Sequence, residues 1–379
     1  MKIAIDERIQ LGVDCFSSAG EVCTVSAQEL TPGRLKGFDV LVVRSVTLVD
    51  EELLTGTRVR FVGSVTSGVD HINLDYLREA GIGFAHAPGS NANSVAEYVV
   101  AALLYLHARE RVDLHKATLG VIGVGQVGSR VVEKARALGL SVVMNDPPLA
   151  SRGHRQDLAL LPDVLECDIV TLHVPLTRVG DDATFHLLNR ERLSQMKPGS
   201  VLINTARGDV VDPDALLSSV KIGCLAAFAL DVWPGEPFVS RDLISAAALA
   251  TPHIAGHSQQ GKTRGTEVVY EALCSFFEIS ATWKAPELPT HSAKLTPIAS
   301  DTFTSLNEAV RKAYDIEADN NALKRKGSHF ETLRANHANH TEFHHIRVGL
   351  APDTHPARPA LEMLGFHLAP PTAAATRIE

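Results

Sequence analysis

The sequence predicts an α/β fold built on a doubly wound parallel sheet. Three observations point there. Short β-branched runs bounded by turn-formers alternate with helical patterns along most of the chain, and such alternation packs as a parallel sheet covered by helices. A glycine-rich turn, Gly123-Val124-Gly125-Gln126-Val127-Gly128, sits between one of those strands and a helix. The chain is 379 residues long, enough for two or three domains at roughly 100–200 residues each.

Residues 2–5, 39–43 and 60–65 read as buried strands, and residues 74–80 as a helix closed by Gly81. These make one small α/β unit ending near residue 90. Asn93-Ser94 offers an N-cap for a long apolar helix running from Val95 to about His107. A second strand series follows at 118–124, 141–145, 169–173, 201–204 and 225–230, and ends near Thr251-Pro252-His253. Another long helical pattern covers 259–279. Two long helices bracketing the middle block imply a discontinuous first domain, 1–92 with 255–283, into which a domain of residues 93–254 is inserted. Pro286, Pro289 and Pro297 mark a linker. The remainder, 284–379, reads as a small α+β piece with helices at 306–314, 330–338 and 359–364 and a strand at 346–350; a Pro/Ala/Thr run at 369–375 reads as a frayed end.

Composition narrows the function. Hydrophobic residues are 45% and charged residues 21%, ordinary for a globular chain. Lys+Arg number 36 against 44 Asp+Glu, a net charge of −8, which argues against general nucleic-acid binding. The longest apolar run, Tyr98–Leu106, is far short of the roughly 20 residues that span a bilayer, so no membrane partner is expected. The N-terminus turns acidic at Asp6-Glu7, unlike a signal peptide. Cys15, Cys23, Cys167, Cys224 and Cys274 are odd in number and scattered, the pattern of reduced thiols in cytoplasm.

The glycine turn matches G-x-G-x-x-G in its required setting, after a strand and opening a helix. Gly123 permits the tight turn, Gly125 lets the backbone approach a pyrophosphate, and Gly128 lets helix pack on strand. The helix N-terminus then offers N–H groups and partial positive charge to a diphosphate. Asp146 ends the next strand, where a carboxylate accepts both ribose hydroxyls and repels a 2′-phosphate. The expected cofactor is therefore NAD rather than NADP.

Three polar residues follow later strands of the same series: Arg207, Glu236 and His253. Ligands bind beyond the carboxyl ends of strands in such sheets. The set suits hydride transfer from a 2-hydroxy acid. An imidazole takes the hydroxyl proton, a carboxylate holds and stabilises the imidazolium, and a guanidinium clamps the substrate carboxylate. Each residue alone also has an ordinary structural explanation.

Asn93–Glu97, the glycine turn, Thr205-Ala206-Arg207-Gly208, Asp231–Pro237 and Thr251–Gly256 come in the order found in the D-isomer-specific 2-hydroxyacid dehydrogenase family, which this sequence resembles over roughly residues 1–280. The resemblance implies a Rossmann-type NAD domain inserted in a smaller flavodoxin-like α/β substrate domain, with Arg207, Glu236 and His253 catalytic. It implies cofactor contacts at Gly123, Gly125, Gln126, Val127, Gly128, Asp146, Val174, Thr205, Ala206, Arg207, Asp231 and Gly256. Substrate contacts are implied at Ser45, Thr66 and His257, the last a position often filled by tyrosine in relatives. A narrower likeness, in Val43–Thr47, Asp146-Pro147-Pro148, His253–His257 and the segments 313–316 and 330–334, implies a phosphorylated 2-hydroxy acid as substrate. It also implies a cytoplasmic homodimer in which residues 284–379 form the dimerisation domain. Another hydroxy acid, such as phosphoglycerate, glycerate or lactate, is the alternative substrate; a catalytically silent NAD-binding regulator is the alternative class. No metal is expected: His337 and His340 have i, i+3 spacing but no accompanying ligand motif.

Overall fold

A five-stranded parallel sheet organises the first of two units into which the computed structural model divides. The structure describes residues 1–153, 157–294, 301–350 and 356–369, so Pro297 and the run after Ala369 lie outside it. The first unit is Met1–Asn91 with Ser258–Leu288; the second is Ala92–His257 with Pro289–Glu379.

In the first unit β1 (Lys2–Asp6), β2 (Glu21–Val25), β3 (Val40–Val43), β4 (Phe61–Ser64) and β5 (Gly83–His86) lie in the order β2-β1-β3-β4-β5. Successive side chains point to opposite faces. Ile3, Ile5, Val40 and Val42 therefore meet Val269, Tyr270 and Leu273 of the Gln259–Phe276 helix on one side. Ala4, Leu41 and Val43 meet Leu35, Leu53, Leu54 and Leu77 on the other. Gly63 is needed here, because a Cβ at that position would lie 2.4 Å from Val269 Cγ1. The strands missing from the sequence reading, β2 and β5, are the two edges of the sheet. Their mixed exposure lacks the buried apolar run that marks β3.

In the second unit β6 (Thr118–Ile122), β7 (Ser141–Asn145), β8 (Ile169–Leu172), β9 (Ser200–Asn204), β10 (Leu225–Leu230) and β11 (Leu249–Ala250) form a parallel sheet ordered β11-β10-β9-β8-β6-β7. The chain winds from β6 outward to β7, then crosses to β8 on the other side. The switch point thus lies between β6 and β8, where such sheets bind ligands.

The Ala92–Ala108 helix is buried on nearly all sides. Asn93 and Ser94, expected as its N-cap, lie inside it instead. Their side chains have tertiary partners: Ser94 Oγ donates to the Ala255 carbonyl at 2.7 Å, and Asn93 Nδ2 donates to Glu97 at 2.9 Å and Glu342 at 2.7 Å.

The described residues after Pro289, part of the segment 284–379 read from the sequence as a piece of its own, contribute to the core of the second unit. Phe303, Leu306, Val310, Phe343, Val348 and Leu361 join the hydrophobic cluster formed by the Ala92–Ala108 helix and the sheet. This segment adds β12 (His291–Lys294), β13 (Ile346–Gly349) and β14 (His367–Leu368), ordered β12-β13-β14. Its helices are Thr302–Ala313, Ile316–Lys326, Phe330–Ala335 and Arg358–Leu364. The Ile316–Lys326 helix was absent from the sequence reading because only Ile316, Asn320 and Leu323 turn inward, too sparse an apolar stripe to read. It nevertheless closes the sheet edge: Asn320 Oδ1 accepts the Ala250 N–H of β11 at 2.9 Å, and Lys324 Nζ donates to the Ala247 carbonyl at 2.6 Å.

Two buried carboxylates tie this segment to the rest of the unit. Glu97 accepts the Phe343 N–H at 3.0–3.1 Å and faces Lys134 Nζ at 3.4 Å, while Asn93 bridges it to the fully buried Glu342. Burial, with the nearby Glu342 charge, pushes the Glu97 carboxyl up to about 8 despite Lys134. The folded state therefore holds a proton that the unfolded chain releases near its ordinary value of about 4.3. Glu97 thus lowers stability progressively as pH rises from that value to about 8. Glu97→Gln removes this loss. Tm measured from pH 5 to 8.5 should fall less steeply with pH in that variant than in wild type.

Candidate active site

All parallel strands of the second sheet present their carboxyl ends on one side, and the sequence-predicted residues of this unit follow those ends. After β6, Gly123 has φ +86, and a Cβ there would lie 2.7 Å from the His173 carbonyl and 2.8 Å from Val174 Cγ1. Val174 is thus packed directly on the turn. Gly128 lies still closer, since its Cβ would fall 1.9 Å from the Gly123 carbonyl. The two glycines let the turn fold down on the start of the Gln126–Ala137 helix, whose first residues include Gln126 and Val127. Gly125 precedes the helix with open space where a Cβ would project.

Asp146 stands at the end of β7. Its Oδ2 accepts the Val124 N–H at 2.8 Å, and its Oδ1 accepts the Leu149 N–H at 2.9 Å. The carboxylate thus fixes the glycine turn against the neighbouring strand end. It retains further lone pairs for two ribose hydroxyls. This cradle of side-chain-free backbone, helix N-terminus and strand-end carboxylate fits a dinucleotide.

Thr205, Ala206 and Arg207 follow β9. Asn204 shapes their turn, with Nδ2 donating to the Arg207 carbonyl at 2.9 Å and Oδ1 accepting the Ala206 N–H at 3.0 Å. Thr205 Oγ1 lies 3.2 Å from His173 Nδ1, while His173 Nε2 lies 3.0 Å from Thr171 Oγ1. Desolvation pushes the His173 imidazole down to about 3, so this histidine is neutral and serves as a hydrogen-bonding strut. Gly208 could carry no side chain: a Cβ would lie 2.0 Å from the Trp233 carbonyl carbon. The Arg207 turn therefore sits against the Asp231–Glu236 segment.

That segment follows β10 and holds Glu236. One Glu236 oxygen accepts the Trp233 N–H at 2.7 Å; the other lies 2.7 Å from His253 Nδ1. Burial raises the Glu236 pKa, but the His253 charge, the hydrogen bond to it and the Trp233 N–H outweigh burial and bring it below the ordinary range. This pair engages Nδ1, the ring nitrogen opposite Nε2.

His253 has φ +56, a left-handed conformation uncommon for a non-glycine residue. Asp231 holds it there. The Asp231 carbonyl accepts the His253 N–H at 2.8 Å. Its carboxylate, 1% exposed, accepts the Ile254 N–H at 2.8 Å, the Ala255 N–H at 2.9 Å and the Thr251 hydroxyl at 2.7 Å. Because Thr251 donates to Asp231, the buried Tyr98 hydroxyl 2.6 Å away must donate to Thr251. Trp233 Nε1 donates to the Thr251 carbonyl at 2.8 Å. Asp231, read from sequence as a cofactor contact, thus turns its carboxylate onto the His253 loop. Sequence reasoning missed Tyr98, Trp233 and Thr251. The last two lie inside the motifs quoted above, but Tyr98 lies 153 residues from Thr251.

Gly256 and His257 complete the loop in a turn closed by the His257 N–H to the Ile254 carbonyl at 2.8 Å. The C-terminal segment reaches it: the His340 N–H donates to the His257 carbonyl at 3.2 Å, and the His257 ring lies 5.9 Å from that of His337. His337 pairs with Asp319 at 3.1 Å and His340 stacks on Tyr314 at 4.7 Å, so both histidines serve in packing. Ser45 and Thr66 belong to the first unit. Ser45 lies in an exposed turn after β3, beside Arg44, whose Nε is 3.0 Å from the buried Asp6 carboxylate. Thr66 follows β4, with Oγ1 donating to the Gly68 carbonyl at 2.8 Å and lying 2.7 Å from Ser64 Oγ.

Comparison with known proteins places the chain in a family. A family model described as D-isomer specific 2-hydroxyacid dehydrogenase, NAD binding domain, matches residues 97–255. The chain is 40% identical to the erythronate-4-phosphate dehydrogenase of Hahella chejuensis, over 97% of this chain and 99% of that one. It is 43% identical to that of Salinibacter ruber, over 90% and 92%. A D-lactate dehydrogenase from Aquifex aeolicus, solved with NAD and lactic acid, superposes with a TM-score of 0.61 at 28% identity. That match covers 95% of the lactate enzyme but 73% of this chain, so about a quarter of this chain lies outside it.

Two outcomes test the geometry. Thr251→Val leaves Asp231 short of one donor and the Tyr98 hydroxyl without its acceptor; urea unfolding should show a loss of about 1–3 kcal/mol. The Glu236 carboxyl lies below its ordinary value in the folded state. It therefore adds stability above about pH 4.3, and this is lost as pH falls through the folded value. The stability difference between wild type and Glu236→Gln should shrink on acidification through that range.

Proposed function

Because the chain belongs to the D-isomer-specific 2-hydroxyacid dehydrogenase family, as an NAD-dependent oxidoreductase in the branch of erythronate-4-phosphate dehydrogenases, we propose that it oxidises 4-phospho-D-erythronate to 2-oxo-3-hydroxy-4-phosphobutanoate. One observation carries the chemistry: His253 Nδ1 sits 2.7 Å from a Glu236 carboxylate whose second oxygen is already held by a backbone N–H. An imidazole so oriented offers Nε2 as a base and is stabilised once it gains a proton.

Bound NAD supplies the acceptor for a hydride leaving C2 of the substrate. Gly123, Gly125 and Gly128 leave room for its diphosphate at the Gln126–Val127 helix start, and Asp146 takes the ribose hydroxyls. Val174, Thr205, Ala206, Asp231 and Gly256 border the cofactor. Arg207 grips the substrate carboxylate with a planar fork of donors and polarises the developing carbonyl. His253 Nε2 accepts the C2 hydroxyl proton, and Glu236 balances the resulting imidazolium. Ser45, Thr66 and His257 complete the substrate contacts in this reading. A histidine at position 257 donates a hydrogen bond in place of the tyrosine of many relatives.

The same reading assigns the reaction to pyridoxal 5′-phosphate synthesis and the enzyme to the cytoplasm. It also makes the chain a homodimer, with the C-terminal segment contributing the dimer contact. One observation supports it: the relatives match nearly the whole chain, including the quarter beyond the lactate enzyme.

The test is turnover of 4-phospho-D-erythronate with NAD and a 2-oxo acid as electron acceptor, with 3-phosphoglycerate and D-lactate run in parallel and the 2-oxo product detected directly. Phosphoerythronate should be preferred, and His253→Ala should lower kcat by roughly 10²–10⁴. Preference for another hydroxy acid would replace the substrate but keep the reaction class. Absence of turnover with NAD binding intact would mean a regulator.

A further inference from the structure

Apart from the residues of the dehydrogenase reading, three metal-ligating side chains come together. His107 lies in the last turn of the Ala92–Ala108 helix, His115 in the loop that follows, and Asp301 caps the Thr302–Ala313 helix. One donor atom from each lies within 4.8 Å of the other two.

The remaining polar atoms of two of these residues are already spoken for. His107 Nδ1 lies 3.1 Å from the Val112 carbonyl and 3.3 Å from the Leu114 N–H, so the backbone fixes this ring and Nε2 is its outward atom. Metal-binding histidines are held in this way, one nitrogen on the backbone and the other on the ion. Asp301 Oδ2 accepts both the Thr304 N–H and the Thr304 hydroxyl at 2.8 Å, while Oδ1 points to His115 Nε2 at 3.4 Å. Both imidazoles pack edge-on against Phe303, with ring centroids 5.0 Å and 4.8 Å away, which sets their planes.

We propose that His107, His115 and Asp301 form a binding site for one divalent transition-metal ion, with Zn²⁺ the best fit. Two imidazoles and one carboxylate are a zinc donor set, and three protein ligands leave a fourth position for water. Zinc bonds of about 2.0–2.2 Å put tetrahedral donors roughly 3.3–3.5 Å apart. The His115–Asp301 pair already has that spacing, and the half-exposed His115 ring is the part free to close on the ion. The ion would pin the start of the C-terminal segment to the end of the long buried helix. No partner for it is legible in the sequence, where Asp301 stands far from both histidines.

The test is titration of full-length, metal-stripped protein with Zn²⁺ by calorimetry, repeated with Co²⁺ to read its visible ligand-field absorption. Wild type should take up one equivalent, give the absorption of a low-coordinate Co²⁺ site, and gain Tm with added Zn²⁺. His115→Ala should lose that equivalent, the absorption and the Tm gain. Asp301→Asn, which keeps an oxygen to cap the helix, should weaken binding by roughly 10–100-fold or more. His337→Ala/His340→Ala should retain the equivalent. Wild type that binds no stoichiometric Zn²⁺ would overturn the proposal, as would uptake by His115→Ala equal to that of wild type. Neither result depends on turnover, so the dehydrogenase reading stands or falls separately.

Discussion

The buried carboxylate of Asp231 is the constraint on which the active-site geometry rests. Burial raises the pKa of this carboxyl group, and a polar group so deeply buried needs hydrogen-bond donors. Here the donors are the N–H groups of Ile254 and Ala255 and the Thr251 hydroxyl, all on one loop. Meeting that demand bends the loop, and the bend places His253 in a left-handed backbone conformation with its ring against Glu236. The local strain at His253 is thus offset by hydrogen bonds made by its neighbours. Tyr98 and Trp233 extend the same arrangement to the long buried helix and to the Glu236 turn.

The candidate site is legible in the sequence because parallel sheets gather ligand-binding segments at their strand ends. Each candidate group therefore lies in a short contiguous segment: Thr205–Gly208 after β9, Asp231–Pro237 after β10 and Thr251–Gly256 after β11. Such segments keep their pattern on one line of text. Five strands of the second sheet are legible as short apolar runs, while the two-residue β11 is too short to carry a pattern. Contacts across long sequence separations left no such trace. Asn93 and Ser94 look like a helix cap locally, yet their side chains answer to Glu342 and Ala255, 249 and 161 residues away. Nor does the sequence show that the Asp231 carboxylate gathers three donors from the Thr251–Ala255 loop.

In the C-terminal segment three helices and β13 are legible in the sequence, but β12, β14 and the Ile316–Lys326 helix are not, for a different reason. Its elements borrow their core. Phe303, Leu306 and Val310 cover the Ala92–Ala108 helix, and Phe343 and Leu361 join the same cluster. A segment that shares a larger core needs only a thin apolar stripe of its own, and its two-residue and four-residue strands carry little periodicity. This also explains why contact density joins residues 289–379 to the middle of the chain instead of setting them apart.

The Asn320 side chain has a colloidal consequence. β11 is the last strand of its sheet, and a bare last strand is a template on which another chain can add. By taking the Ala250 N–H, Asn320 occupies a ladder position that an incoming strand would need, and its helix lies over the approach. The C-terminal segment thus acts as an end-stop against edge-to-edge growth. Without the Ile316–Lys326 helix over it, β11 would offer an open sheet edge to other chains.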